Sequence, residues 1–112
     1  MKISIKNCRD TYFYLSTLRP FIDFKLPNVV NIEFKVNKSK TLIGSYENYP
    51  HTICVSSVLC ETYKDVLETI AHEMIHLHLE IGGKENHYEH DEHFKAIAKQ
   101  VCDVFGWDLS KF

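Results

Sequence analysis

The chain has 112 residues, of which 45% are hydrophobic and 25% charged, and its formal net charge is −2 with the histidines neutral. This length suits a single core, and we predict that residues 1–112 form one domain. No apolar run approaches the roughly 20 residues of a membrane-spanning helix, and the acidic balance argues against direct nucleic-acid binding, which usually shows as a basic domain or stripe.

The first half of the chain shows the patterns of one helix and three strands. Residues 7–18 favour a helix, with Asn7 as a candidate N-cap. Alternation of apolar and polar side chains then predicts three short strands, at residues 29–36, 41–46 and 51–58. Gly44 interrupts the second strand and predicts a bulge or a close backbone approach. Three strands in series predict a small, mostly antiparallel sheet.

The second half is predicted to form two helices joined by a loop. Thr62 and Asp65 resemble a capping box, and Gly82 or Gly83 is a plausible C-cap. Between them, one apolar stripe recurs at three- and four-residue steps. Its members are Val66, Leu67, Ile70, Met74, Leu77 and Ile81. Residues 91–106 predict a last helix, and the whole order of elements indicates an α+β domain.

Residues 72–76 read His-Glu-Met-Ile-His, which is the H-E-x-x-H pattern. Side chains four residues apart lie on one face of a helix, so His72 and His76 can offer two imidazole nitrogens to one metal ion. Glu73 projects beside them and can reach a metal-bound water without binding the metal itself. The pattern therefore predicts a zinc site suited to assisted hydrolysis.

A catalytic zinc usually takes three protein ligands and keeps one position for water. His78 points away from the ligand face of the helix, and Glu80 lies one turn beyond it, so the third ligand should follow the glycine pair. Within residues 87–93 we favour His90, because Phe94 should anchor the last helix in the core and turn His90 inward. The alternatives are His87, His93 and a nearby carboxylate.

Two segments of the chain together resemble a known family. Residues 70–76, followed by His90-Asp91-Glu92-His93-Phe94, are similar to the SprT-like zinc metallopeptidases, which include the Spartan-type DNA–protein crosslink proteases. The resemblance extends over roughly residues 29–107 and implies a small zincin-like fold with His90 as the third ligand. Asp91 departs from the family pattern, which usually has glycine there, and the related WLM proteases also vary at this position.

The resemblance implies a zinc metalloendopeptidase that binds one zinc ion per chain through His72, His76 and His90. A metal-activated water would attack the peptide bond of a protein substrate, with Glu73 as general base and then general acid. Two other functions remain open. One is a structural-zinc or inactive protein-binding module, and the other is a DNA-associated protease that acts on protein adducts.

Other side chains are candidates for supporting roles in the reaction, and the cysteines and the N-terminus indicate where the protein is located. Glu68 or Glu80 could orient a ligand imidazole. The candidates for stabilising the oxyanion are Tyr46, His87, Tyr88 and His93. The four cysteines form no C-x-x-C pair, and the N-terminus lacks a signal-peptide pattern, so we expect reduced thiols and a cytoplasmic location. The sequence indicates no particular oligomeric state.

Overall fold

The computed structural model describes residues 2–86 and 90–112. In these ranges the chain forms helices and a three-stranded sheet, which confirms the predicted α+β class. The helices are α1 (Ile5–Ser16), α2 (Tyr63–Ile81) and α3 (Glu92–Phe105), and the strands are β1 (Glu33–Asn37), β2 (Gly44–Glu47) and β3 (Thr52–Ser56). No helix in the described ranges has the length and hydrophobicity needed to span a membrane.

Helix α1 begins earlier than the sequence predicted, so the choice of Asn7 as N-cap was wrong. The Ser4 hydroxyl accepts a hydrogen bond from the Asn7 N–H at 3.1 Å, and the Asn7 side chain accepts one from the Ser4 N–H at 2.9 Å. This reciprocal pair is a capping box, which satisfies two backbone donors at the helix start. Asn7 therefore contributes to the cap from the third helical position.

The first two predicted strands start too early for a common reason, which is a local hydrogen bond from a backbone N–H to a side-chain oxygen. The Asn28 side chain accepts from the Val30 N–H at 3.1 Å and holds residues 29–31 in a 3-10 turn, where Val30 is 81% exposed. The Ser39 hydroxyl accepts from the Leu42 N–H at 3.0 Å, ahead of β2. Such bonds compete with sheet pairing and shorten the strands.

The sheet is mixed rather than mostly antiparallel. Its strand order is β1-β3-β2, with β1 parallel to β3 and β2 antiparallel to β3. After β1 the chain passes the position of β3 and forms β2 at the far edge of the sheet. It then returns to form β3 between the two outer strands. Strand β3 is therefore central and largely buried, whereas β2 forms an edge of the sheet.

Helix α2 starts and ends as predicted and is buried more widely than predicted. Thr62 and Asp65 form the capping box, and Gly82 is the C-cap. The helix contacts α1 and α3 as well as β2 and β3, so residues outside the predicted stripe are also buried. These are Thr69, Ala71, Glu73, Ile75 and Leu79. Ile81, predicted to lie in the stripe, is 52% exposed at the end of the helix.

A glycine turn reverses the chain after α2. The Lys84 N–H donates to the Leu79 carbonyl at 2.8 Å, and the Gly83 N–H donates to the Glu80 carbonyl at 3.1 Å. These two bonds form a Schellman motif, which needs a left-handed residue, and Gly83 has φ +70°. The segment that follows is thereby directed back toward the face of α2 that carries His76.

All four cysteines are free thiols in the structure, as predicted. Cys8, Cys60 and Cys102 are buried, and Cys54 is half-buried on β3. Burial is the main reason why the pKa of the Cys8 thiol is raised to about 11. A thiol with a raised pKa is a poor nucleophile, so Cys8 acts as an apolar packing residue.

Candidate metal centre

Three histidines from two parts of the chain meet at one point. His72 and His76 lie one turn apart on α2, and His90 directly precedes α3. One ring nitrogen from each lies within 4.8 Å of the corresponding nitrogens of the other two. Among the described residues, these three form the group of histidine, cysteine and acidic side chains that could hold a metal ion.

Phe94 holds His90 in place, as the sequence spacing predicted. Phe94 is 2% exposed, and its ring stacks on the His90 ring with centroids 3.7 Å apart and an interplanar angle of 14°. The Asp91 side chain accepts hydrogen bonds from the backbone N–H groups of His93 and Phe94 and starts α3. Helix α3 therefore begins where its first buried aromatic residue can orient the histidine that precedes it.

The surroundings favour neutral imidazoles. Burial, reinforced by His76 and His90, lowers the pKa of His72 to about 3. Burial also lowers the pKa of His90, with His76 adding to the effect and a hydrogen bond that the ring donates to the backbone of Phe112 opposing it. A neutral imidazole has a lone pair to donate, so these two side chains are in the form that binds a metal.

Glu73 is a buried carboxyl beside the triad. Its residue is only 4% exposed although it follows His72 directly in the chain. Burial is the main cause that raises its pKa to about 8, and the nearby Glu85 adds to the rise. A carboxyl with a pKa near neutrality can both accept and return a proton under ordinary conditions.

Of the two alternatives predicted at Gly44, the structure shows a close approach, in which the backbone of β2 lies against side chains of α2. A β-carbon built on Gly44 would lie 2.5 Å from the Thr69 Cγ2 atom and 3.0 Å from the Glu73 Oε2 atom. Strand β2 therefore passes α2 at a distance that only glycine permits. The glycine that interrupts the strand pattern therefore lies where the edge of the sheet meets the carboxyl of Glu73.

Gly44→Ala is expected to lower the free energy of unfolding by about 1–3 kcal/mol, the usual effect of overpacking a core. The same change should reduce any activity that depends on Glu73, because its carboxyl must move. Chemical denaturation checks the first effect, and Gly44→Ala with Thr69→Ser provides the matched control by removing the methyl group at 2.5 Å. Equal stability of Gly44→Ala and wild type would contradict the close contact.

Glu85 is the acidic residue that contacts a triad histidine. Its Oε2 atom lies 2.6 Å from the His76 Nδ1 atom. The sequence had suggested Glu68 or Glu80 for such a role. In the structure Glu68 lies 3.6 Å from Lys64, and Glu80 accepts a hydrogen bond from the Asn48 side chain at 3.5 Å. Helical spacing could not find Glu85, because it lies beyond the end of α2.

The triad opens into a groove of about 1000 Å³ between β2 and α2. One wall has the exposed apolar side chains of Leu42 and Ile43, and the other has the acidic side chains of Asp65 and Glu68. Tyr46 also lines the groove, and its hydroxyl lies 2.6 Å from the His51 Nδ1 atom. The triad is therefore accessible to a ligand as large as a peptide segment.

The remaining predicted candidates fall into two groups. His93 is exposed at the start of α3 and is not part of the group that could hold a metal. His87, named as an alternative ligand and oxyanion donor, and Tyr88, named as an oxyanion donor, lie outside the described residues. Of the residues that the structure describes, Tyr46 is the predicted oxyanion candidate that lines the groove.

The fold and the site together define the class of protein. An α+β domain that presents a helical histidine pair and a third histidine to an open groove has the arrangement of a zincin-like protein with a site that could bind metal. The model of the SprT-like family matches residues 12–110. The chain therefore belongs to the SprT-like family. A comparison with the curated proteins finds no match.

Proposed function

We propose that this protein is a zinc-dependent endopeptidase in which His72, His76 and His90 bind the metal and Glu73 is the general base. The observation that supports this most directly is the combination of the triad with a buried carboxyl at the wall of an open groove. A metal-binding site with a purely structural role has no need of such a carboxyl and is usually closed by a fourth protein ligand.

The donor set fits zinc. Three imidazole nitrogens are typical ligands of a catalytic zinc, which leaves one coordination position for water or substrate. Burial lowers the pKa values of His72 and His90, so each neutral ring has one unprotonated nitrogen that can bind a metal. When bound, the ion supplies Lewis acidity, which polarises a carbonyl oxygen and makes water a stronger acid.

Glu73 is placed to move the proton in this reaction. Its carboxyl lies at the gap between α2 and β2, within the lining of the groove. There it can accept a proton from a water molecule that attacks the peptide carbonyl, and can then donate the proton to the leaving nitrogen. In the metal-free protein burial raises the pKa of this carboxyl to about 8, and a bound cation would lower it toward the ionised form that accepts a proton.

The outer edge of β2 is suited to an extended peptide. The Ser56 N–H donates to the Ile43 carbonyl at 2.8 Å, and the antiparallel register then directs the backbone groups of Gly44 and Tyr46 away from β3. These groups face the groove and can pair with a substrate strand. We therefore propose a protein or peptide substrate that binds as an added strand beside the triad.

Removal and return of the metal test this function. The purified protein should hold about one zinc ion per chain, measured by mass spectrometry, and should cleave members of a peptide library. A chelator should abolish cleavage, and zinc should restore it, whereas magnesium, which prefers oxygen ligands, should not. A wild-type protein that binds no zinc when the metal is supplied would exclude the proposed function.

A further inference from the structure

We propose that Glu85 is a positioning residue of the metal centre, which fixes His76 in the tautomer that carries its proton on Nδ1. The Nε2 atom of His76 is then the nitrogen presented to the metal. This inference rests on the proposed function to the extent that it treats the triad as a metal site. Glu85 lies outside both residues 70–76 and residues 90–94, the two segments that resemble the family.

The contact between the two side chains is short and shielded from water. The Glu85 Oε2 atom and the His76 Nδ1 atom are 2.6 Å apart, while the two side chains are 4% and 15% exposed. A carboxylate at this distance accepts the proton of Nδ1 and so excludes the other tautomer. Because little water reaches the pair, the preference should be stronger than for a surface contact.

The fold brings Glu85 to His76 through the turn after α2. Gly83 adopts φ +70°, and the hydrogen bond from the Lys84 N–H to the Leu79 carbonyl reverses the chain. Glu85 follows Lys84, and its side chain extends back along α2 by more than one helical turn to reach His76. A helix that simply continued would place residue 85 farther along the axis, away from His76.

A carboxylate behind a ligand imidazole also affects metal binding through its charge. It makes the ring a stronger donor and holds the ring plane in one orientation, and loss of such a partner typically weakens metal binding about 10–100-fold. Glu85 is also close enough to Glu73 to raise the pKa of that carboxyl. Both carboxyls line the groove into which the triad opens, where their negative charge would stabilise a bound cation.

Two variants of Glu85 test the inference, and a variant of Glu68 is the matched control. Glu85→Ala removes the contact, Glu85→Gln keeps an oxygen acceptor of the same size without the charge, and Glu68→Gln alters a groove carboxylate that faces Lys64 instead of the triad. Zinc affinity is measured by competition with a chromogenic chelator. The tautomer of His76 is read from nitrogen-15 NMR of the metal-free protein.

We expect Glu85→Ala to weaken zinc binding by about 10–100-fold and to populate the Nε2–H tautomer of His76. Glu85→Gln should keep the Nδ1–H tautomer and lose less affinity, and Glu68→Gln should match wild type. If Glu85→Ala fails to fold, the tautomer of His76 in the metal-free wild type decides the question, and an Nε2–H form there would overturn the inference.

The readouts separate this inference from the proposed function. If wild type binds zinc and Glu85→Ala binds it equally well with an unchanged tautomer, Glu85 has no positioning role and the metal site stands. If wild type binds no zinc, the proposed function fails. The tautomer of His76 in the metal-free protein then still determines whether Glu85 fixes the ring, since an Nε2–H form in wild type would contradict it.

Discussion

Glu73→Gln is expected to reduce peptide hydrolysis by about 10²–10⁴-fold, the range that a positioned general base contributes, while zinc stays bound. The amide has almost the same shape as the carboxyl but cannot accept a proton from water. The metal ligands in our proposal are the three histidines, so the substitution leaves the donor set intact. Activity and metal content should therefore respond in different ways.

The structure also predicts that this variant folds normally. Glu73 is only 4% exposed, and burial together with Glu85 raises its pKa to about 8. The surroundings therefore already favour an uncharged side chain at this position, and glutamine supplies one of equal size. A loss of activity in Glu73→Gln can then be assigned to the missing proton acceptor, because no loss of structure accompanies it.

The measurement compares the rates of wild type, Glu73→Gln and Glu68→Gln on one cleaved peptide, with zinc content and thermal unfolding recorded for each. Glu68 lines the same groove on α2 without belonging to the triad, so its variant controls for the change of a groove carboxyl to an amide. A Glu73→Gln protein that hydrolyses the peptide at the wild-type rate would show that the general base is another group.

Short-range patterns predicted the parts of the site that depend on one helix. The spacing of His72 and His76 fixes their common face, and the capping box with the C-terminal glycine fixes the limits of α2. The four-residue step from His90 to Phe94 was also sufficient, because Phe94 is buried and stacks on the His90 ring. Local geometry fixes these positions within each helix, whereas the packing of α3 against α2 brings His90 to His72 and His76.

Features that depend on packing between distant segments could not be predicted in this way. The parallel pairing of β1 with β3 depends on where the intervening chain crosses, which the alternation of side chains does not encode. The contact between Glu85 and His76 depends on the turn at Gly83 and joins residues that share no helical face. The acidic residues that helical spacing did suggest, Glu68 and Glu80, face other partners.

His90→Ala is expected to weaken zinc binding by more than the roughly 10–100-fold that follows from loss of an orienting partner, because it removes a ligand itself. The remaining pair on α2 would hold the ion with two nitrogens, fewer than a catalytic zinc normally has. Zinc content after dialysis, together with affinity from chelator competition, measures the effect. Hydrolysis should fall in parallel with zinc occupancy.

His93→Ala is the matched control, since His93 lies three residues further along, is exposed, and stands outside the triad. It should bind zinc like wild type. His90→Ala should remain folded, because Asp91 still caps α3 and the helix keeps its buried residues Ala98 and Val101. If His90→Ala retained zinc at wild-type affinity, the third ligand would lie elsewhere in the chain. The stacking of His90 on Phe94 would then have only a packing role. Residues 90–94 would not contribute a ligand to the metal site.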